Sequence, residues 1–129
     1  MRRVSYAWLV LRAFAQLLRY DCETALWGFG CIQRRLARHQ PSRESNDETL
    51  VPAVCDAVVL AACFYWKPVL CLQRSVCAVR LLRARGVAAR LVIGYRPVPF
   101  FSHAWVEVNG RVVNDSPAYR QRLQVLYTA

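Results

Sequence analysis

The chain has 129 residues, 56% of them hydrophobic and 20% charged, which excludes a disordered polar chain and fits one domain with its own core. Lys and Arg number 18 against 8 Asp and Glu, a net charge of +10, so an acidic partner is expected: nucleic acid, anionic lipid, or an acidic protein or peptide. No nucleic-acid motif accompanies that charge, and Arg34, Arg35, Arg38, Arg80, Arg83 and Arg85 read as solvated helix faces.

At the N-terminus Arg2 and Arg3 precede an apolar run from Val4 to Leu11, and Ala13-Phe14-Ala15 imitates a signal-peptidase site. Arg12 interrupts the run, and Val4, Trp8, Leu11, Ala15 and Leu18 recur at helical spacing, so the stretch reads as an amphipathic helix, too short to span a membrane. A cytoplasmic protein is expected. The helix's apolar face leaves docking to partners or membrane open, with membrane association the less expected of the two.

This first helix runs from about Val4 to Tyr20. A second opens at an Asp21 cap and reaches about Arg38, with Gly28 and Gly30 weakening its middle and inviting a kink. The polar run from His39 to Glu48 reads as an internal linker. A third helix starts near Thr49, carries Pro52 in its first turn, and presents Val54, Val58, Ala61, Ala62 and Tyr65 before Pro68 forbids continuation. A fourth opens at about Cys71, buries Leu72, Val76, Val79 and Leu82, and closes near Arg85 on a left-handed Gly86.

Beyond Gly86 the pattern turns to branched residues, and Arg90 to Tyr95 reads as a strand followed by a Pro-containing loop from Arg96 to Ser102. His103 to Val108, Asn109-Gly110, and Arg111 to Asp115 form the strongest hairpin signal in the chain. Ala118 to Ala129 is a further strand or a short helix. The expected architecture is α+β in one domain over 1–129: a helical part, 1–66, packed on a small antiparallel sheet formed within 67–129.

Six cysteines, Cys22, Cys31, Cys55, Cys63, Cys71 and Cys77, read as reduced, five of them as core fillers. With no C-x-x-C pair and two histidines, no metal or cofactor is expected. The exception is Cys71. A thiol acts as a nucleophile only as thiolate, which the positive dipole and unpaired amides of a helix N-terminus favour. His103, at the start of a strand, is the candidate base, and Asp115, on the partner strand, the group that fixes the imidazole tautomer. A two-residue Asn109-Gly110 loop would pair Ala104 with Asp115 and send His103 to the opposite face. The expected register therefore has a three-residue loop with Gly110 as a bulge, which sets His103 opposite Asp115, Trp105 opposite Val113 and Glu107 opposite Arg111.

A Cys at a helix start, then a strand, then a hairpin entered by His and left by Asp, is the order of parts in the transglutaminase-like branch of papain-type folds. Cys71-Leu72-Gln73-Arg74-Ser75, Leu81-Leu82-Arg83-Ala84-Arg85-Gly86, Leu91-Val92-Ile93-Gly94 and His103-Ala104-Trp105-Val106-Glu107-Val108-Asn109-Gly110 together resemble the lasso-peptide biosynthesis B2 family, over about Tyr65 to Pro117. The resemblance implies a cysteine protease, a leader peptidase that cuts a precursor peptide between leader and core. Its implied partners are that precursor, a separate PqqD-like leader-recognition protein, and an ATP-dependent cyclase that uses the freed amine. Substrates of the family usually carry Thr two residues before the cut.

The Cys71 amide is one oxyanion donor. Tyr65 stands where a papain-type enzyme has glutamine, which leaves Trp66 or a loop amide as substitute donors. Trp105 and Tyr95 are groove or core residues, core being the usual place for strand aromatics. Gln73 and Arg74 read as substrate contacts or as solvent-facing helix positions, Ser75 as packing, and Glu107 as the partner of Arg111. Two other classes stay open: an acyl transferase that passes the thioester to an amine, and a non-catalytic basic interaction module.

Overall fold

The computed structural model describes residues 5–38, 50–115 and 121–129. The expected polar linker and the helix start at Thr49 fall outside these. In chain order the elements are α1 (Tyr6–Trp27), α2 (Phe29–Arg38), α3 (Leu50–Cys63), α4 (Cys71–Ala84), β1 (Ala89–Pro97), β2 (Phe100–Val108), β3 (Arg111–Val112) and β4 (Gln124–Thr128). The α+β expectation holds, with the helical layer on one face of an antiparallel sheet ordered β3-β2-β1-β4.

The first helix runs through Asp21 rather than ending there. Asp21 caps nothing, because its carboxylate is taken by the Tyr65 hydroxyl and by Lys67 Nζ at 2.7 Å. The break comes at Gly28, whose φ of 75° lies in the left-handed region. The helix also buries a different stripe from the expected one. Leu9, Ala13 and Leu17 enter the core, whereas Trp8, Leu11 and Leu18 are 52%, 64% and 42% exposed. Both stripes are apolar at helical spacing, so periodicity defines two candidate faces, and packing against α3 and α4 selects one.

α3 contributes Val54, Val58 and Ala61 to the core, and α4 contributes Val76, Val79 and Leu82, all fully buried; each side chain larger than Ala stabilises the fold by about 1.5–3 kcal/mol. α4 ends as expected. Gly86 is at φ 83°, with Gly86 N–H donating to Arg83 O and Val87 N–H to Leu82 O, both at 3.0 Å, the paired bonds of a Schellman cap. Two arginines assigned to solvated faces are drawn inward instead. Arg80 pairs with the buried Glu23 of α1 at 2.8 and 2.9 Å, and Arg83 donates to Ala89 O at 2.9 Å and Leu36 O at 2.6 Å.

β1 is longer than the sequence suggests, and the expected loop from Arg96 to Ser102 is mostly strand. Pro97 pairs with Phe100 across a tight reversal at the cis Val98–Pro99 bond. Ala89, Leu91, Ile93, Ala104, Val106 and Val108 face the helices. On the outer face Val92, Trp105 and Leu123 form a second small core. Gly94 is obligatory there: a Cβ would lie 2.6 Å from the Trp105 ring. The C-terminal piece is a strand, with Leu91 and Ala129 exchanging both backbone bonds at 2.9 Å.

All six thiols are free. Cys77 is buried, but Cys22 and Cys63 are exposed and Cys31, Cys55 and Cys71 half-buried, so the expectation of five core fillers is corrected. Among the described residues no helix is long and apolar enough to cross a membrane.

Candidate active site

Cys71 is the first residue of α4, preceded by Leu70 in extended conformation and with no side-chain cap. The first intrahelical bond is Arg74 N–H to Leu70 O, 3.1 Å, so the amides of Cys71, Leu72 and Gln73 have no intrahelical acceptor. The chain around Cys71 is anchored on α1. Gln73 Nε2 donates to Leu17 O at 3.1 Å, Tyr65 gives its one hydroxyl hydrogen to Asp21 with Oη 3.3 Å from Leu17 O, and Lys67 reaches the same carboxylate. Gln73 is therefore a buried anchor, 5% exposed, and neither a solvent-facing nor a substrate-contacting side chain.

Burial works against the Asp21 carboxylate. Hydrogen bonds from Lys67, Tyr65 and Gln73, with the charge of Lys67, outweigh it and hold the carboxyl below its ordinary range. Burial first, then the bond to Asp21, pushes the Tyr65 hydroxyl up to about 12. Tyr65, at the position of the missing glutamine, is thus committed to the α1 anchor. Nearby Tyr20 is pushed up to about 12 by its burial, with the charges of Cys77, Asp21 and Cys71 adding.

His103 Nε2 lies 2.6 Å from Asp115 Oδ2. The imidazole is flanked along its own strand face by Phe101 and Trp105, with ring centroids at 6.2 and 6.3 Å and interplanar angles of 21° and 27°. In the tautomer in which Nε2–H donates to the carboxylate, Nδ1 is the nitrogen able to take a proton.

The pair forms in the register that was expected to forbid it. Glu107 pairs with Val112 and Val108 with Arg111, leaving a two-residue loop with Asn109 at φ 53° and Gly110 at φ 76°, the signature of a type I′ turn. The predicted bulge is absent, and Glu107 lies opposite Val112 and Arg90 rather than Arg111. The face argument fails because β3 stops at Val112. Val113 N–H still donates to Val106 O at 3.0 Å, but Val106 N–H goes to the Asn114 side chain, 2.7 Å. Asp115 lies beyond the ladder and is released from its alternation.

α4 meets this strand at Ser75, whose Oγ donates to Ala104 O at 3.3 Å and accepts from Asn114 Nδ2 at 3.1 Å. The helix that begins with Cys71 is thereby fastened beside the residue following His103. Of the four tryptophans, the two expected near the site, Trp66 and Trp105, differ in role. Trp66 is 74% exposed, with Lys67 Nζ 5.6 Å from its ring. Trp105 is fully buried and donates its indole N–H to Glu107 Oε2 at 2.8 Å, so it is core and lines no groove. A surface hollow of about 560 Å³ between Arg90, Glu107 and Thr128 contains none of Cys71, His103 and Asp115. Among the described residues no group of His, Cys, Asp and Glu could hold a metal. Phe101 escaped the sequence reading, its only available signal being its place two residues before His103; Asp21, read as a helix cap, and Tyr65, read as the residue in the glutamine's place, were not read as anchors.

A helix opened by cysteine, packed on an antiparallel sheet that carries a His–Asp pair, is a transglutaminase-like architecture. The transglutaminase-like superfamily model matches residues 16–128, and the chain belongs to that superfamily. The chain is also similar to the microcin J25-processing protein McjB of Escherichia coli, with 50% identity over 56 residues, 43% of this chain. That match spans 27% of the relative's length. No solved structure matches the chain.

Proposed function

We propose that this domain is a cytoplasmic cysteine peptidase that removes the leader from a lasso-peptide precursor. The observation that carries the chemistry is the 2.6 Å contact between His103 Nε2 and Asp115 Oδ2, which leaves Nδ1 as the base for a thiol. The likeness to a microcin J25-processing protein supports the pathway.

In this reading the Cys71 thiol gives its proton to His103 Nδ1, and the sulfur attacks the scissile carbonyl. The oxyanion is met by amides at the start of α4, that of Cys71 first. His103 then protonates the leaving amine as the C–N bond breaks, freeing the core peptide and leaving the leader as a thioester. Water, deprotonated by His103, attacks the thioester, releasing the leader acid and restoring the thiol. Asp115 holds the ring in the required tautomer and balances the imidazolium. A PqqD-like element presents the leader, and an ATP-dependent cyclase consumes the freed amine.

The test combines the purified protein with the precursor and leader-binding partner, and weighs the products by mass spectrometry. Leader acid plus core amine is expected, with complete loss in Cys71→Ala. A mass showing the leader joined to an added amine would replace hydrolysis by acyl transfer. Full cleavage by Cys71→Ala would refute Cys71 as the nucleophile, and no cleavage by the parent protein would refute the proposal and favour a non-catalytic module.

A further inference from the structure

We infer that Ser75 and Asn114 are positioning residues that fasten the strand of His103 and the turn of Asp115 to the helix opened by Cys71; the inference rests on the reading of Cys71, His103 and Asp115 as a triad. Each member of the clip is a near neighbour of one of those groups. Ser75 lies four residues after Cys71, about one turn along the same face of α4. Its hydroxyl donates to the carbonyl of Ala104, the residue after His103. Asn114 immediately precedes Asp115.

The hydrogen bonds run in one direction, and each group is used in both senses. Val106 N–H donates to Asn114 Oδ1 at 2.7 Å, Asn114 Nδ2 donates to Ser75 Oγ at 3.1 Å, and Ser75 Oγ donates to Ala104 O at 3.3 Å. Ser75 is fully buried, where a hydroxyl without partners is costly. Packing alone would be served as well by alanine, so it does not account for a hydroxyl satisfied as donor and acceptor.

Asn114 does a second thing. In the observed register Val106 and Val113 form a bonded pair, and Val113 N–H already donates to Val106 O. The reciprocal bond from Val106 N–H is taken by the Asn114 side chain. The side chain replaces the backbone, the ladder ends, and the next residue leaves the sheet. That exit lets Asp115 reach His103, although continued pairing would have set it opposite Ala104 on the wrong face. One side chain thus ends the strand, aims the carboxylate and fastens both to the helix that carries the thiol.

The experiment measures alkylation of Cys71 by iodoacetamide at pH 7, by peptide mapping, with the exposed Cys22 and Cys63 as references in the same molecule. Ser75→Ala, His103→Ala and Asn114→Ala are compared, each checked for native circular dichroism and urea midpoint. Asn114→Ala, at a half-exposed position, covers the case in which the buried Ser75 variant is too unstable. Ser75→Ala and Asn114→Ala are each expected to slow Cys71 about tenfold while Cys22 and Cys63 are unaffected. Ser75→Ala combined with His103→Ala should be no slower than His103→Ala alone. A merely structural role would shift the midpoint and leave the relative rate of Cys71 unchanged. If His103→Ala slows Cys71 but folded Ser75→Ala and Asn114→Ala stay within twofold of the parent, the clip is overturned and the triad stands. If His103→Ala itself leaves Cys71 unchanged, the triad fails and the clip with it.

Discussion

Glu23 is the strongest test of how the helical layer is held. It is 2% exposed on α1 and receives Arg80 Nη1 and Nη2 of α4 at 2.8 and 2.9 Å. Arg19 at 2.9 Å and Arg35 at 3.3 Å complete the cluster. The Arg80 side chain is only 9% exposed, against 50% and 41% for Arg19 and Arg35. Glu23→Gln keeps the shape, removes the charge and strands Arg80 out of water. Removing one partner of a buried pair costs about 3–5 kcal/mol, while each half-exposed arginine adds about 0–1 kcal/mol. The expected loss is therefore about 3 kcal/mol, or a urea midpoint lower by about 1–3 M, read by circular dichroism in reducing buffer at pH 7. Replacing both partners, Glu23→Met with Arg80→Met, should recover most of the loss, since no buried charge is then left alone. A Glu23→Gln cost below about 1 kcal/mol, or a double variant no more stable than the sum of the singles, would refute the reasoning. The pH dependence has a definite sign. Burial opposes the Glu23 carboxylate, but the hydrogen bond and charge of Arg80, then the charges of Arg19 and Arg35, hold its carboxyl below the ordinary value. Its stabilisation is present above that ordinary value and is lost as pH falls through the depressed one, so Glu23→Gln should flatten the acid limb of the stability curve.

Gly94→Ala would place a Cβ 2.6 and 2.8 Å from two Trp105 ring atoms and 3.0 Å from Leu123 Cβ; a loss of about 1–3 kcal/mol is expected, and an unchanged thermal midpoint would contradict it. Burial pushes the Cys77 thiol up to about 12, and burial with the nearby Asp56 charge pushes Cys55 up to about 11. Both should resist iodoacetamide at pH 8 while Cys22 and Cys63 react, and Cys77 reacting as fast as Cys63 would show that its site opens. Asp115→Asn, which can turn its NH₂ toward His103 and favour the wrong tautomer, should lower leader cleavage by about 10²–10⁴-fold with the fold intact; cleavage within a few-fold of the parent would remove Asp115 from the mechanism.

Local signals were legible wherever backbone geometry admits few residues. Gly86 closes α4, Asn109-Gly110 turns β2 into β3, and Cys71 opens a helix, all readable from residue type and spacing. The candidate site residues were legible as types, and the contact of His103 with Asp115 was expected for a reason that proved wrong. Alternation along a strand was extended past Val112, where no ladder remains. The strand pairing just before His103 was missed because Pro97 and Pro99 read as breakers, although two strands meet across them.

By itself the chain's order of residues determined most of its elements, its positive charge, and a thiol, an imidazole and a carboxylate at or near the ends of those elements. Tertiary structure decided which apolar stripe of α1 became core, why Arg80 and Gln73 turned inward, and how Asp115 escaped its strand register. The physical reason is common to all three. Periodicity defines faces but not the neighbour each face will meet, and a side chain such as Asn114 can take a backbone bond only once folding has brought that backbone within reach.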